Sequence, residues 1–400
     1  MNLPIVLEAL ALILGLLLVM PCALLLLEVC FASKKGGRGA SQAITQAIPR
    51  LVVLIPAHNE EAGIEAVIEP LIRRGYELLV VADNCTDRTA EVARKAGAGV
   101  VERRDADRRG KGFALDFGIE ALAANPPDVV IVFDADCFLK VGDFETLAAL
   151  CHQVQRPIQS FYSMERFVPA NTRQQITAFA WTVKNYVRPS GLLRLGVPCQ
   201  LMGTGMAFPW ALISKSKLAS GEIVEDMKLG IDFVNSGKGP IFFPAVEVQS
   251  SFPTNSTGLQ TQRERWEIGH LRMISRHSVQ MIVGGILRAN SQQLIFGLDL
   301  FIPPLAFLAI FVSLFASLGM LIWFAFGLTT PLILADIAFT FFTCACLIAW
   351  FRFGREDLTF ATLLSVPAYI LKKIPLYISG LVHRPKHWVR TKRDNENGPE

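Results

Sequence analysis

Acidic side chains follow three short apolar runs in the first part of the chain. The runs and their following loops are 51–55 with Pro56-Ala57-His58-Asn59-Glu60-Glu61, 78–82 with Asp83-Asn84-Cys85-Thr86-Asp87, and 129–133 with Asp134-Ala135-Asp136. Such runs are typical of buried parallel strands. Ligands of open α/β sheets bind beyond the carboxyl ends of the strands. The sequence therefore predicts one polar site that receives a carboxylate from each of the three strand ends.

Asp134 and Asp136 place two carboxylates on one short loop. Carboxylate oxygens are the ligands that Mg²⁺ and Mn²⁺ prefer, and an ion bound there also holds a diphosphate. An Asp-x-Asp pair alone is a weak signal because chance produces it in many chains, but its position behind a strand strengthens it. Asp83, taken alone, is equally well explained as the N-cap of the following helix.

Cations that could neutralise a departing diphosphate lie between the second and third acidic loops. Arg108, Arg109 and Lys111 occupy a flexible loop before a helix predicted to start near Phe113. Lys and Arg, together with a bound metal, are the usual means of stabilising such a leaving group. A solvated loop is the alternative for Arg108 and Arg109.

A second acidic pair, Glu225-Asp226, follows the loop Gly203-Thr204-Gly205. Substitution at a sugar carbon requires a base for the acceptor hydroxyl, and either carboxylate could supply it. A solvated helix surface is the alternative for the pair alone. Further on, Gln262, Arg265 and Trp266 combine an amide, a guanidinium and an indole, which suit phosphate oxygens and sugar rings. An anchor at a membrane interface is the alternative for this stretch.

The repeated order of strand, polar loop and helix predicts an α/β fold with a doubly wound, mostly parallel sheet. No GxGxxG follows the first strand, which argues against a dinucleotide cofactor. The formal charge of +4 is too small to indicate a nucleic-acid partner. The eight cysteines show no metal-binding or disulfide pattern, so reduced thiols facing the cytoplasm are expected.

The whole chain has 52% hydrophobic and 18% charged residues, a composition typical of membrane proteins. The excess of hydrophobic residues lies at the two ends of the chain. Residues 6–31, 301–326 and 332–351 each suffice to cross a bilayer. A cleaved signal peptide is the alternative for the first, but its basic residues, Lys34, Lys35 and Arg38, follow the apolar stretch. These residues, with Arg352 and Arg355, place the middle domain in the cytoplasm.

The last apolar stretch, 358–381, contains Lys372 and Lys373, and two lysines at the centre of a bilayer are costly. We interpret it as an interfacial or re-entrant helix, with a fourth span as the alternative. The predicted order is an N-terminal transmembrane helix (1–33), a cytoplasmic α/β domain (45–277), an interfacial amphipathic segment (278–293), two transmembrane helices (294–353), and an interfacial or re-entrant helix with a basic tail (354–400).

In this order the motifs resemble those of the membrane-bound inverting family 2 glycosyltransferases of the cellulose synthase, hyaluronan synthase and poly-N-acetylglucosamine synthase type. The matching residues are Pro56-Ala57-His58-Asn59-Glu60, Asp83, Gly110-Lys111-Gly112, Asp134-x-Asp136, Gly203-Thr204-Gly205, Glu225-Asp226 and Gln262-x-x-Arg265-Trp266. The last motif is the most specific. The resemblance covers about residues 51–273.

The resemblance implies a GT-A fold, Mg²⁺ or Mn²⁺ as cofactor, and a bacterial inner-membrane location. It implies that Asp83 contacts uracil, Glu60 the ribose or base, and Asp134 and Asp136 the diphosphate and metal. Asp226 is implied as general base. The implied donor contacts further include Pro56 and Lys111, and the implied acceptor or diphosphate contacts are Gly203, Thr204, Gly205, Glu225, Gln262, Arg265 and Trp266.

Two departures from the family pattern bear on function. The first acidic motif is Ala82-Asp83-Asn84 where many members have two consecutive acids. The membrane part is small, which leaves translocation of a polymer open. The leading hypothesis is transfer from a UDP-sugar to a growing polysaccharide at the cytoplasmic face, with an export or accessory subunit as a possible partner. The alternatives are single-sugar transfer to a membrane lipid and a non-catalytic sugar-nucleotide-binding subunit.

Overall fold

The computed structural model describes residues 3–34, 48–165, 170–219, 224–251 and 266–371. Within these residues the chain divides into two compact units. An α/β unit comprises residues 48–165, 198–219, 224–251 and 266–269, and a helical unit comprises residues 3–34, 170–197 and 270–371. Residues 170–197 lie within the stretch 45–277 that the sequence assigns to the α/β domain, yet they cluster with the apolar helices.

The α/β unit contains one eight-stranded sheet. Its strands are β1 (Leu51–Ala57), β2 (Glu77–Asp83), β3 (Gly99–Arg103), β4 (Val129–Val132), β5 (Cys137–Val141), β6 (Ile158–Met164), β7 (Met206–Pro209) and β8 (Ile241–Ser250). Its helices are α2 (Ile64–Arg73), α3 (Thr89–Lys95), α4 (Lys111–Leu122), α5 (Phe144–Val154), α8 (Trp210–Ile213) and α9 (Glu225–Asn235).

The strand order is β3-β2-β1-β4-β7-β6-β8-β5. Strands β3, β2, β1 and β4 are parallel, β7 pairs antiparallel with β4 and β6, and β6 pairs parallel with β8. The two successive side chains Val52 and Val53 of β1 are both fully buried, so both faces of the sheet are covered. The predicted α/β fold with a mostly parallel sheet is confirmed.

The third predicted repeat of strand, loop and helix is wrong in one respect. After β4 the chain passes through Asp134-Ala135-Asp136 directly into strand β5, and helix α5 begins only at Phe144. Strand β5 pairs antiparallel with β8, a strand more than a hundred residues later in the chain. Because the run 137–141 is stabilised by this distant partner, its local sequence gives little sign of a strand.

The helical unit begins with α1 (Leu3–Phe31). Its other helices are α6 (Thr172–Thr182), α7 (Arg188–Arg194), α10 (Val279–Leu287), α11 (Ser291–Leu300), α12 (Leu305–Phe326), α13 (Thr330–Ala349) and α14 (Phe360–Leu371). Three π-helical turns, Val183–Val187, Ile274–Ser278 and Trp350–Gly354, join or extend these helices. Three helices of the described chain are long and apolar enough to cross a membrane: Ile5–Phe31, Leu305–Phe326 and Thr330–Gly354.

Helices α1 and α13 run parallel to each other. Near their first turns Thr330 donates a hydrogen bond to Glu8 (2.9 Å). Near their last turns Arg352 donates to the carbonyls of Val29, Cys30 and Ala32. The guanidinium therefore caps the carboxyl end of α1. The end of α1 and the end of α13 lie on the same side of this unit.

The segment 278–293, predicted to lie at the interface and lead into the second span, forms a helical hairpin before that span. Its position at the interface stays a prediction. Helix α10 ends before Ala289, which has a positive φ of 49°, and α11 returns along it before α12 begins. The close approach depends on Gly285, where a Cβ would lie 2.5 Å from the backbone nitrogen of Leu294. The stretch 358–381 is helical over Phe360–Leu371, and its lysine pair and the basic tail lie outside the described residues.

Candidate active site

The loops after β1 and β2 are tied together at the carboxyl edge of the sheet. Each contains an asparagine with positive φ, Asn59 at 54° and Asn84 at 51°, a conformation that asparagine tolerates better than most residues. His58 Nδ1 lies 2.7 Å from the carbonyl oxygen of Asp83. The backbone amide of Glu60 donates to Thr89 Oγ1 (2.7 Å). These hydrogen bonds join the loop that carries Glu60 to the end of β2 and the start of α3. Glu60 and Asp83 therefore lie at the same edge of the sheet, just beyond Pro56 of β1.

Asp83 is buried at the end of β2 and does not cap a helix. Its carboxylate accepts hydrogen bonds from Arg103 (2.7 Å) and from Asn84 Nδ2 (3.0 Å). The N-terminus of α3 is instead satisfied by Asp87, which accepts from the amide of Thr89 (3.0 Å). The N-cap alternative for Asp83 is therefore wrong.

Arg103 is a site residue that the sequence analysis missed. It lies opposite Asp83 in the parallel pairing of β2 with β3. Its guanidinium also bonds Asp105 (3.1 Å) and lies 5.5 Å from the ring centre of Phe113 in α4. A buried carboxylate needs a partner of opposite charge. The position of Asp83 at the end of a buried strand was therefore the only feature of the sequence that indicated a cation near it.

Lys111 begins helix α4, so the prediction of a loop lysine before a helix at Phe113 is wrong. Gly110 has a φ of 128°, which lets the chain turn directly into the helix. Lys111 Nζ pairs with the carboxylate of Asp134 and donates to the carbonyl oxygen of Gly203 (2.7 Å). Among the cations of the loop, Arg108 and Arg109 are exposed, and their described contacts are local, to Asp105 and Ala106.

Asp134 and Asp136 lie together, as predicted for a metal-binding pair. Donor atoms of Asp134, Asp136 and the neighbouring Cys137 all lie within 4.8 Å of one another. Burial raises the pKa of Asp134, and Asp136 adds to the rise while Lys111 opposes it. Two close carboxylates of this kind fit a hard divalent cation. Burial also raises the pKa of Cys137 well above its ordinary value, which favours the neutral thiol over a thiolate ligand.

Glu225 and Asp226 form the first turn of α9 and face the same site. A Cβ on Gly203 would lie 3.4 Å from Asp226 Oδ2 and 3.7 Å from Lys111 Nζ, so this glycine leaves room for both groups. Burial raises the pKa of Glu225 to about 7, and the charge of Asp226 adds to this effect. Burial disfavours the charged form of Lys111, but Asp134, Glu225 and Asp226 outweigh it and raise the pKa of that lysine.

The loop Gly203-Thr204-Gly205 lies between the two acidic pairs. Thr204 Oγ1 accepts a hydrogen bond from the amide of Asp134 (3.0 Å). Gly203 and Gly205 have φ values of 92° and 62°, so both adopt the left-handed conformation that favours glycine. Gln159 of β6, a second residue that the sequence analysis missed, bonds this loop through its buried side chain.

Trp266 lies in the first turn of a helix over residues 266–273 and is half-buried. This helix packs on the residue before Glu225, because a Cβ on Gly269 would lie 2.7 Å from Val224 Cγ1. Gln262 and Arg265 lie outside the described residues. The structure thus places Glu60, Asp83, Asp134 and Asp136 at one edge of the sheet and brings Lys111 and Asp226 close to Gly203.

Comparison with known proteins gives a family match and several partial relatives. The model of the family described as glycosyltransferase like family 2 matches residues 49–269. The probable glycosyltransferase YdaM of Bacillus subtilis is 26% identical over 255 residues, which are 58% of this chain and 58% of YdaM. The uncharacterised glycosyltransferase Rv0539 of Mycobacterium tuberculosis is 31% identical over 190 residues, 44% of this chain and 82% of that protein.

Among solved structures, glucosyl-3-phosphoglycerate synthase from Mycobacterium tuberculosis in complex with Mn²⁺ and UDP-glucose is similar in part. It shares 25% identity over 59% of this chain and 80% of that chain, with a TM-score of 0.35. This chain spans less than two thirds of the length of YdaM. The family match extends over more than half of the chain and includes every described residue of the site, so this protein belongs to the family described as glycosyltransferase like family 2.

Proposed function

We propose that the protein transfers a sugar from a UDP-sugar to an acceptor hydroxyl with inversion at the sugar carbon. The observation that carries this proposal is the position of Lys111. Its ammonium group bonds both Asp134 and the Gly203 carbonyl, within a short distance of Asp226. A diphosphate-binding pair, a cation and a base are therefore held around one small space, which is the arrangement that displacement of a nucleoside diphosphate requires.

The donor is proposed to lie along the sheet edge, from Asp83 to Asp136. The carboxylate of Asp83, fixed by Arg103, accepts a hydrogen bond from the uracil ring, and Glu60 lies toward the ribose or base. Asp134 and Asp136 hold Mg²⁺ or Mn²⁺. Held there, a divalent cation would supply positive charge to the departing diphosphate. Lys111 adds a positive charge at the same point and orients Asp134.

Asp226 is proposed as the general base. Its carboxylate accepts the proton of the acceptor hydroxyl while that oxygen attacks the sugar carbon and the bond to the diphosphate breaks. Glu225 and the loop Gly203-Thr204-Gly205 line the acceptor side. Gln262, Arg265 and Trp266 remain proposed contacts to the diphosphate and acceptor on the strength of the motif alone.

The acceptor is proposed to be a growing polysaccharide, and the enzyme a multi-pass protein of a bacterial inner membrane. Three apolar helices in the described chain support the membrane location. Lys34, Arg352 and Arg355 follow the ends of α1 and α13, which lie on one side of the helical unit, and basic flanks mark the cytoplasmic side. The second candidate is transfer of one sugar to a membrane lipid.

Product analysis with radiolabelled UDP-sugars tests the acceptor. The full chain in nanodiscs with Mn²⁺ is expected to give label in chains of many sugars that stay in the aqueous phase. Label that enters organic solvent with a single added sugar would support the lipid acceptor and reject polymer synthesis. The Asp136→Ala variant serves as the control for transfer that does not use this site.

A further inference from the structure

Gln159 is an uncharged side chain that lies fully buried in β6, the strand beside β7. Its amide group makes three hydrogen bonds. Nε2 donates to the carbonyl oxygens of Thr204 (3.0 Å) and Ser160 (2.9 Å), and Oε1 accepts from the backbone amide of Met202 (2.8 Å). One side chain therefore bonds the backbone on both sides of Gly203.

The loop Gly203-Thr204-Gly205 needs these hydrogen bonds, because its two glycines can adopt many backbone conformations. Gly203 and Gly205 both have positive φ, and glycine gives a chain the widest choice of conformations. Pairing of β6 with β7 covers only Ile158 with Ala207 and Gln159 with Met206, so regular sheet bonds end where the loop begins. The amide of Ser160 reaches one step further, donating to the Gly205 carbonyl (2.9 Å).

The same loop supplies bonds to two residues of the proposed donor site. The Gly203 carbonyl accepts from Lys111 Nζ (2.7 Å), and Thr204 Oγ1 accepts from the amide of Asp134 (3.0 Å). Gln159 contacts neither Lys111 nor Asp134 through a described hydrogen bond. Its effect on them passes through the backbone of residues 202–204.

We propose that Gln159 is a positioning residue for binding of the donor diphosphate. Its amide holds the backbone of residues 202–204 in the position from which the Gly203 carbonyl bonds Lys111. Lys111 is then already paired with Asp134 before the donor binds. This inference rests on the proposed function, because it assigns the consequence of the geometry to UDP binding. Without the amide, the loop carbonyl and amide groups lose buried partners, and the glycines let the loop move to recover them.

The test compares variants that remove different parts of the amide. Gln159→Met keeps the length of the side chain and removes all three hydrogen bonds. Gln159→Glu keeps an acceptor for Met202 and, as a buried protonated carboxyl, a donor for one of the two carbonyl oxygens. Tyr76→Phe is the matched control, because it removes both bonds of a buried hydroxyl in the same unit, before the start of β2 and away from the site. That hydroxyl accepts from the backbone amide of Phe144 (3.1 Å) and donates to Glu145 (2.5 Å).

The readouts are the affinity for UDP with Mn²⁺ by calorimetry, the melting temperature, and KM and kcat for the donor. Gln159→Met is expected to weaken UDP affinity by about ten- to a hundredfold, with Gln159→Glu between it and the unaltered protein. KM for the donor should rise with it. Tyr76→Phe is expected to lower the melting temperature while UDP affinity stays unchanged.

Unaltered UDP affinity in folded Gln159→Met would overturn the inference, as would an equal loss in Tyr76→Phe, since both results describe a residue that acts only on stability. Should Gln159→Met fail to fold, Gln159→Glu decides: weakened UDP affinity at an unchanged melting temperature supports the inference, and unweakened affinity overturns it. Absence of UDP binding by the unaltered protein would instead reject the proposed function itself.

Discussion

Two adjacent carboxyl groups, Glu225 and Asp226, open helix α9, and only Asp226 is proposed as the base. Asp226 Oδ2 lies next to Gly203, where the proposed acceptor side begins, and both carboxyl groups act on the charge of Lys111. Burial, and then the charge of Asp226, raise the pKa of Glu225 to about 7. The pKa of a carboxyl group thus depends on its surroundings more than on whether it belongs to Asp or Glu.

The raised pKa of Glu225 makes stability depend on pH. A carboxyl whose pKa is higher in the folded chain than in the unfolded chain binds its proton more tightly when folded. Its stabilising contribution is complete below its ordinary pKa of 4.5 and is lost as the pH rises to about 7. We expect the melting temperature of the metal-free protein to fall across this range, and to fall less in Glu225→Gln, whose amide does not ionise.

A pH series of thermal unfolding in the presence of a chelator measures this effect. Glu65→Gln, an exposed change in the first turn of α2, is the control and should keep the pH profile of the unaltered protein. Identical profiles for Glu225→Gln and the unaltered protein would contradict the assigned environment of Glu225.

The sequence predicted the acidic residues of the site but not their partners. Asp83, Asp134 and Asp136 follow apolar runs, which are local signals. Arg103 and Gln159 reach their partners at separations of 20 and 43 residues, through strand register and a loop from a later part of the chain. No local pattern encodes such register, so these two residues became visible only in the folded sheet.

Loops and helix starts position the site at the scale of elements. Helix α4 begins two residues earlier than its apolar pattern indicated, because the positive φ of Gly110 is a property of backbone geometry that hydrophobic periodicity does not report. Strand β5 escaped prediction for a related reason, since its partner β8 is distant in sequence. The parallel strands β1, β2 and β4 were predictable because each contains a short apolar run.

Substitution of Gly205 tests whether transfer depends on the position of the loop after Met202. A methyl group there would lie 2.0 Å from Ser160 Oγ and 2.9 Å from Val248 Cγ2, in addition to the strain of a left-handed alanine. We expect Gly205→Ala to abolish most transferase activity by displacing the loop from Lys111 and Asp134. Activity and UDP affinity of the purified variant measure the result.

Gly237→Ala is the matched control, since Gly237 has a φ of 74° and no atom within 4 Å of the added methyl group. Its cost should be confined to about 1 kcal/mol of backbone strain, with activity retained. Equal activity in the two variants would show that the position of the loop does not matter for transfer.

At the scale of the whole molecule, the apolar helices were predictable from length and composition, whereas residues 170–197 were not. This stretch lies between β6 and β7 in sequence but groups with the apolar helices. Its most buried charge is Arg188, which bonds Glu28 of α1 (2.9 Å) and Asp299 of α11 (2.5 Å). Ion pairs between distant helices depend on tertiary packing, which a hydropathy pattern does not contain.

Arg188→Met is expected to destabilise the protein by about 3–5 kcal/mol, because Glu28 and Asp299 would remain buried without their cation. Arg194→Met, at an exposed position of the same helix, is the control and should stay within about 0.5 kcal/mol. Unfolding in detergent measures both. A neutral Arg188→Met would show that the two carboxyls do not depend on this guanidinium.

The orientation of the helices gives a second prediction at this scale. In a chain whose exposed Cys30 and Cys344 are changed to serine, Thr329→Cys is expected to react with a membrane-impermeant maleimide in intact cells. Glu356→Cys should react only after the membrane is opened, because the basic residues near it mark the cytoplasmic side. The reverse labelling pattern would place the α/β unit outside the cytoplasm.

The central claim is that this site transfers a sugar from a UDP-sugar to an acceptor hydroxyl, with Asp226 as the base. The rate of UDP release tests this claim most directly. With a panel of UDP-sugars and Mn²⁺, the full chain should release UDP with at least one donor. Asp226→Asn should lower kcat by about 10²–10⁴-fold while UDP affinity stays close to that of the unaltered protein. UDP release by Asp226→Asn at the unaltered rate would contradict the account.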